Sequence, residues 1–182
     1  MLYVFGFERT GVAVGDLYFA DPDPAPGQEG AERGVRLEVR LLVRRPLPAS
    51  AYSARPIEVG QPVWRADLLE SVAGLPGSFD RTHHHRAFSG WEPGRRVFVR
   101  ELSADPLGWL GARLADLDGI LASAGFPASV AGPDDARSLR DAAPEIVDVT
   151  RRLLEKVRSG ELGQPPRDEA TAAAAGIRAG WL

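Results

Sequence analysis

Between Val35 and Arg44 the apolar residues Val35, Leu37, Val39, Leu41 and Val43 alternate with Arg36, Glu38, Arg40 and Arg44. A side-chain period of two fits a strand and not a helix, and one apolar face set against one charged face is the pattern of an antiparallel sheet packed on a single side. The charged side is expected to meet mostly solvent. Every other element has to supply either a partner for this strand or a cover for its apolar face.

Partners are found on both sides in sequence. Leu2 to Phe7 and Val12 to Ala20 are rich in Val, Phe, Tyr and Leu and are joined by Glu8-Arg9-Thr10-Gly11, which predicts a hairpin. The following ADPDPAPGQEGAERG is broken by prolines and glycines and reads as a surface loop. Its Asp21, Asp23 and Glu29 match no established calcium loop, so a solvated acidic loop is expected. After Pro46, Pro48 and Pro56, a second extended run would place Trp64, Ala66 and Leu68 on one face and Arg65, Asp67 and Leu69 on the other; a short helix over 65–72 is the competing reading. Arg96 to Leu102 reads as a further strand with Val97 and Val99 on one face.

The period changes near Ser103. Asp105 and Pro106 make a helix start, with a capping carboxylate followed by a proline whose missing N–H costs nothing at the first helical position. Leu107, Leu110, Leu114, Leu117 and Leu121 then recur at helical spacing, and Gly125-Phe126-Pro127 supplies a stop. Pro133-Asp134-Asp135 predicts one more helix and Pro144 the start of another, with Ile146, Val147, Leu153, Leu154 and Val157 as its apolar side. These elements predict a single α+β domain over residues 1–160, β-rich over 1–103 and helical over 105–160, with the helices on one face of a twisted antiparallel sheet. Residues 161–182 read as a linker and short tail, in which Trp181 and Leu182 would dock on the chain itself or on a partner.

Composition narrows the function classes. A formal charge of -3 in 182 residues argues against a nucleic-acid or anionic-membrane surface. All but one of the 22 basic residues are arginine, Lys156 being the exception, so a lone arginine carries little meaning here. The absence of cysteine removes disulfides and thiolate metal sites and, with the lack of an apolar leader at the start, leads to the expectation of a cytoplasmic chain.

Chemistry is concentrated between Gly77 and Arg100, which holds all three histidines with Asp80, Glu92 and aromatic residues. On an extended backbone His83 and His85 point to one side, roughly 7 Å apart along the strand, and His84 to the other. Two imidazoles so placed can share a divalent ion such as zinc or iron, with Asp80, Asp67 or Glu92 as candidate third ligand. Without metal, His83 or His85 with Asp80 could do acid–base work. As plain structure, the same rings would pack beside Phe79, Phe88 and Trp91.

The spacing Gly77-x5-His83-x-His85 resembles the opening half of the first motif of the cupins, small metal-binding β-barrels. The resemblance covers about ten residues. Glu92 stands farther behind the second histidine than the family's carboxylate does, and no histidine follows His85 to complete the family's ligand set.

A hairpin turning at residues 91–95 would bring His85 opposite Arg100 and His84 opposite Glu101, the latter as a charged pair on the solvent side. No Walker loop, dinucleotide fingerprint or nucleophile elbow is present. The sequence by itself therefore favours a non-catalytic protein-interaction or self-association module, with Trp91, Arg100, Trp181 and Leu182 as binding candidates. An enzyme or small-ligand site on His83, His85 and Asp80 is the alternative.

Overall fold

The structure is a computed structural model that describes residues 1–46 and 56–165. It is an α+β fold. Strands β1 (Leu2–Gly6), β2 (Thr10–Ala20), β3 (Ala31–Arg44), β4 (Ile57–Ser71) and β5 (His83–His85) form one antiparallel sheet in the order β1-β2-β3-β4-β5. Each strand lies beside its sequence neighbour, so short connections suffice. A two-stranded ribbon, β6 (Phe88–Ser89) with β7 (Glu92–Pro93), follows. Helices α1 (Arg100–Ala104), α2 (Pro106–Leu114), α3 (Leu117–Ser123) and α4 (Asp135–Arg158) complete the order.

The apolar face of the sheet is buried by the helices. Val12, Val14, Val35, Leu37, Val39, Trp64, Ala66 and Leu68 pack into one core with Leu110, Leu114, Leu117, Leu121, Leu139, Ile146 and Leu153. The stripe expected for one helix is shared between two. Asp116 interrupts it and caps α3, accepting a hydrogen bond from the Gly119 amide at 3.0 Å, as Asp105 caps α2 through Gly108. Helix α4 lies against β2 and β3 and is pinned at its start by the fully buried Asp135. That carboxylate accepts from the amides of Glu8 at 2.7 Å, Arg9 at 3.1 Å and Gly132 at 2.9 Å, tying the β1–β2 turn to the helix.

Several sequence expectations are corrected. Pro144 does not begin a helix but sits inside the 24-residue α4. It occupies the exposed side, between the buried Ala143 and Ile146, so the carbonyl that loses its amide partner is open to water. The segment 65–72 continues strand β4 to Ser71 and is not helical. Arg96 to Leu102 is not a strand: only Val97 pairs, exchanging 2.9 and 3.0 Å backbone hydrogen bonds with His84, and Arg100 already opens α1. His84 therefore faces Val97 and the core, not Glu101 and solvent, and Arg100 is exposed and not opposite His85. The histidine strand prefers β4, whose edge offers a complete ladder, with Asp67↔His83, Ala66↔His84 and Arg65↔His85 in register.

The largest correction concerns the charged face. Glu38 and Arg40, expected to meet solvent, are buried, and so are Arg65 and Asp67 beside them. Residues 86–98 cross this side of the sheet and cover it: Phe88 lies 5.1 Å from the Arg65 guanidinium, and Trp91 lies 5.0 Å from that of Arg40. The sheet is thus packed on both sides by different chemistry.

Candidate metal centre

Pairing register brings the site together. Residues directly opposite in an antiparallel pair share a face, so one row runs across all five strands as Leu2, Gly15, Arg36, Asp67 and His83. The next row is Val4, Ala13, Glu38, Arg65 and His85. At the β4–β5 end the first row meets His85 of the second, and ligating atoms of Asp67, His83 and His85 all lie within 4.8 Å of one another. The three residues are 1%, 1% and 5% exposed.

The hydrogen bonds fix how these side chains are presented. His83 Nδ1 stands 2.7 Å from the Arg81 carbonyl, and His85 Nδ1 stands 2.6 Å from the Gly94 carbonyl. A carbonyl can only accept, so each Nδ1 carries a proton and each ring turns its Nε2 atom inward. Both Nε2 atoms face Asp67 Oδ2, at 3.4 and 3.5 Å. The other carboxylate oxygen, Oδ1, accepts from Arg36 Nε at 2.7 Å.

Asp67 Oδ2 and the two Nε2 atoms therefore converge. Burial would raise the Asp67 carboxyl, but the Arg36 guanidinium, with the two imidazoles, holds it well below the ordinary carboxylate range. Direct N–H···O bonds have a heavy-atom separation of about 2.7–3.2 Å, and 3.4–3.5 Å is longer. Ligands bound to zinc at about 2.0–2.1 Å in a tetrahedron stand roughly 3.3–3.4 Å apart. The donor set matches a centre of two imidazoles and one carboxylate, with each ligand steadied by an outer partner: the Arg81 carbonyl, the Gly94 carbonyl and the Arg36 guanidinium.

The surrounding charge is positive. Glu38 accepts from Arg40 Nη1 at 2.6 Å and from Arg65 Nε at 2.8 Å. Within this network, with Arg36 paired to Asp67, three guanidiniums meet two carboxylates, and farther along the same face the buried Glu32 pairs with Arg96. Water is largely excluded, so these charges act at a lower effective dielectric than on the surface.

Other candidate residues lie elsewhere. Asp80 accepts from the Ser71 amide at 3.0 Å and from Ser78 Oγ at 2.7 Å, and it closes the loop between β4 and β5 without reaching the histidines. Glu92 is exposed on β7 opposite Ser89. Trp91 covers Arg40 and remains 45% exposed. Arg100 is exposed at the start of α1. Trp181 and Leu182 fall outside the described residues, and the leucines of α2 and α3 are taken up by the core.

His84 belongs to the opposite face. Its ring lies 6.1 Å from Trp64 and 5.2 Å from Trp109, and neither ring nitrogen has a hydrogen-bond partner. Burial, followed by the charges of Arg86 and Arg113, lowers its pKa to about 4. It is a neutral core residue at ordinary pH.

Sequence reasoning did not single out Arg36, Glu38 or Arg65 as site residues. The available signal was the alternation of opposite charges with large apolar residues in two strands, Arg36-Leu37-Glu38 and Arg65-Ala66-Asp67, which is what charge pairing between neighbouring strands requires. No protein-family model, no curated protein and no solved structure matches this chain. Among the described residues no helix is long and apolar enough to cross a membrane.

Proposed function

We propose that this chain is a metal-dependent hydrolase whose Asp67, His83 and His85 hold one divalent ion, zinc by ligand geometry, beside an arginine-rich substrate site. The observation that carries this reading is the inward convergence of two Nε2 atoms on Asp67 Oδ2, with both Nδ1 atoms already committed to backbone carbonyls.

Asp67, His83 and His85 would hold the ion, and zinc held by three protein ligands would supply a water activated for attack, with a pKa of about 7. The chain's own contribution is orientation and charge. Arg36 holds Asp67 chiefly through Oδ1 at 2.7 Å and reaches Oδ2, the oxygen that faces the histidines, at 3.4 Å. Arg36 and Arg40 are placed where an anionic group would be neutralised, and the ribbon of β6 and β7 keeps bulk water from the buried side of the site.

Hydrolysis of p-nitrophenyl acetate and p-nitrophenyl phosphate tests the reading, using protein stripped by chelator and reloaded with zinc, iron(II) or manganese. Activity that returns with zinc, and that is lost in His83→Ala and His85→Ala variants of unchanged fold, is expected. Hydrolysis that survives both chelation and these substitutions would contradict the proposal.

A further inference from the structure

We infer that the groove beside Arg36 receives the body of a small amphipathic oxyanion, a carboxylate or phosphate compound bearing one ring or a short alkyl group, and that this is the substrate class of the metal centre. The inference rests on reading Asp67, His83 and His85 as that centre. Its observations lie at the other end of the same two rows.

Passing from β5 toward β1, the rows change from imidazole and carboxylate to guanidinium, then to Gly15 and Ala13, then to Leu2 and Val4. The two small residues on β2 leave a trough between the arginine wall of β3 and the apolar wall of β1. A cavity of about 210 Å³ occupies it, bordered by Leu2, Val4, Val59, Ala13 and Gly15 and by the ion-paired Arg36, Glu38 and Arg40, the Glu38 carboxylate being engaged by Arg40 and Arg65. Leu2, Val4 and Val59 are 55%, 50% and 42% exposed, so this apolar surface is left uncovered beside buried charge. At Gly15 a Cβ would stand 3.3 Å from the Met1 carbonyl oxygen and 3.4 Å from Leu2 Cδ1, so any larger side chain would crowd the trough wall.

Charge fixes the orientation of the occupant. Arg36 borders the trough and grips Asp67, which makes it the physical link between cavity and metal ligands. Arg36, Arg40 and Arg65 with Asp67 and Glu38 leave this network one positive charge in excess, which a divalent ion would increase and an anionic head beside Arg36 would offset. The body must be small, since pockets for drug-sized ligands run to about 300–1,000 Å³. A phenyl ring or a chain of a few carbons suits the space.

Calorimetric titration of the full chain, metal-free and zinc-loaded, with phenylphosphonate, phenylacetate, methylphosphonate and acetate tests the assignment. At least one phenyl compound is expected to bind about tenfold or more tightly than its methyl counterpart, because an apolar ring is withdrawn from water. Which head group wins distinguishes phosphate-like from carboxylate ligands. Zinc loading should tighten that binding further, and Ala13→Leu should abolish the advantage of the ring while zinc uptake stays stoichiometric. Equal affinities for phenyl and methyl compounds, or an Ala13→Leu variant that binds as wild type does, would overturn the assignment. Zinc uptake with no effect on phenyl binding would also overturn it, by separating the trough from the centre. Ring-selective binding in a protein that takes up no zinc would uphold the trough and refute the metal centre.

Discussion

The two faces of the sheet are built from the same strands by opposite means. On the helix side, Leu37, Ala66 and Leu68 are withdrawn from water among other apolar groups, a non-directional gain proportional to buried area. On the other side, one residue along in each strand, Glu38, Arg40, Arg65 and Asp67 are buried as charges, which costs desolvation and is tolerable only when each is paired in good geometry. Apolar residues of similar size would serve stability as well as these four ionised groups do. The difference teaches that the first face is held by area withdrawn from water and the second by pairing geometry, and the proposed function assigns the second to chemistry.

Adjacent residues of β4 separate the two roles most sharply. Leu68→Ala opens a cavity on the helix side and is expected to cost about 2–5 kcal/mol in denaturant unfolding, with metal content per folded chain unchanged. Asp67→Asn next to it keeps the shape but leaves the Arg36 guanidinium without its carboxylate. It should cost about 3 kcal/mol and also abolish metal uptake. If Leu68→Ala depletes the ion, or Asp67→Asn retains it, the division between faces fails.

His84 gives the comparison a pH dependence, because it is a titratable ring on the apolar side. Its folded pKa is lowered to about 4, whereas in the unfolded chain it titrates near the ordinary histidine value of 6.5. Between these values the unfolded state binds more protons, so stability falls as pH drops through that window, by on the order of 2–3 kcal/mol. Above pH 6.5 the contribution is fully present. Melting temperatures of wild type and His84→Leu from pH 7.5 to 4 should converge in slope only at the upper end; parallel curves throughout would show that the ring is not confined in its neutral form.

The smallest effect belongs to ion pairs outside both faces. Arg151 and Arg152 meet Asp148 on the exposed side of α4, and Asp148→Asn is expected to change unfolding free energy by less than about 0.5 kcal/mol. A much larger loss there would remove the contrast between buried and exposed pairs.

The sheet and helix framework was legible because it rests on local signals: the period-two alternation at Val35 to Val43, and Asp105 with Pro106 opening α2. The pairing of His83 and His85 on one face was legible for the same reason. The third member of the cluster was narrowed only to Asp80, Asp67 or Glu92, since Asp67 and His83 are brought together by strand register, and register depends on which edge β5 adds to. Proximity in sequence pointed to Asp80, whose carboxylate is used by the loop that makes the approach possible. Burial of the charged face was also hidden, because the cover comes from residues 86–98, whose ribbon has too few residues to show a period. Pro144 misled in a different way: a proline at the exposed side of a long helix costs less than the apolar packing around it supplies.

The most direct test of the account is elemental analysis of the untagged protein, after zinc loading and gel filtration, together with zinc X-ray absorption spectroscopy. One ion per chain, bound through two imidazoles and oxygen ligands and absent from a His83→Ala, His85→Ala double variant that still folds, is the predicted result. A correctly folded wild-type protein that retains no zinc, and takes up neither iron(II) nor manganese in its place, would contradict the central claim.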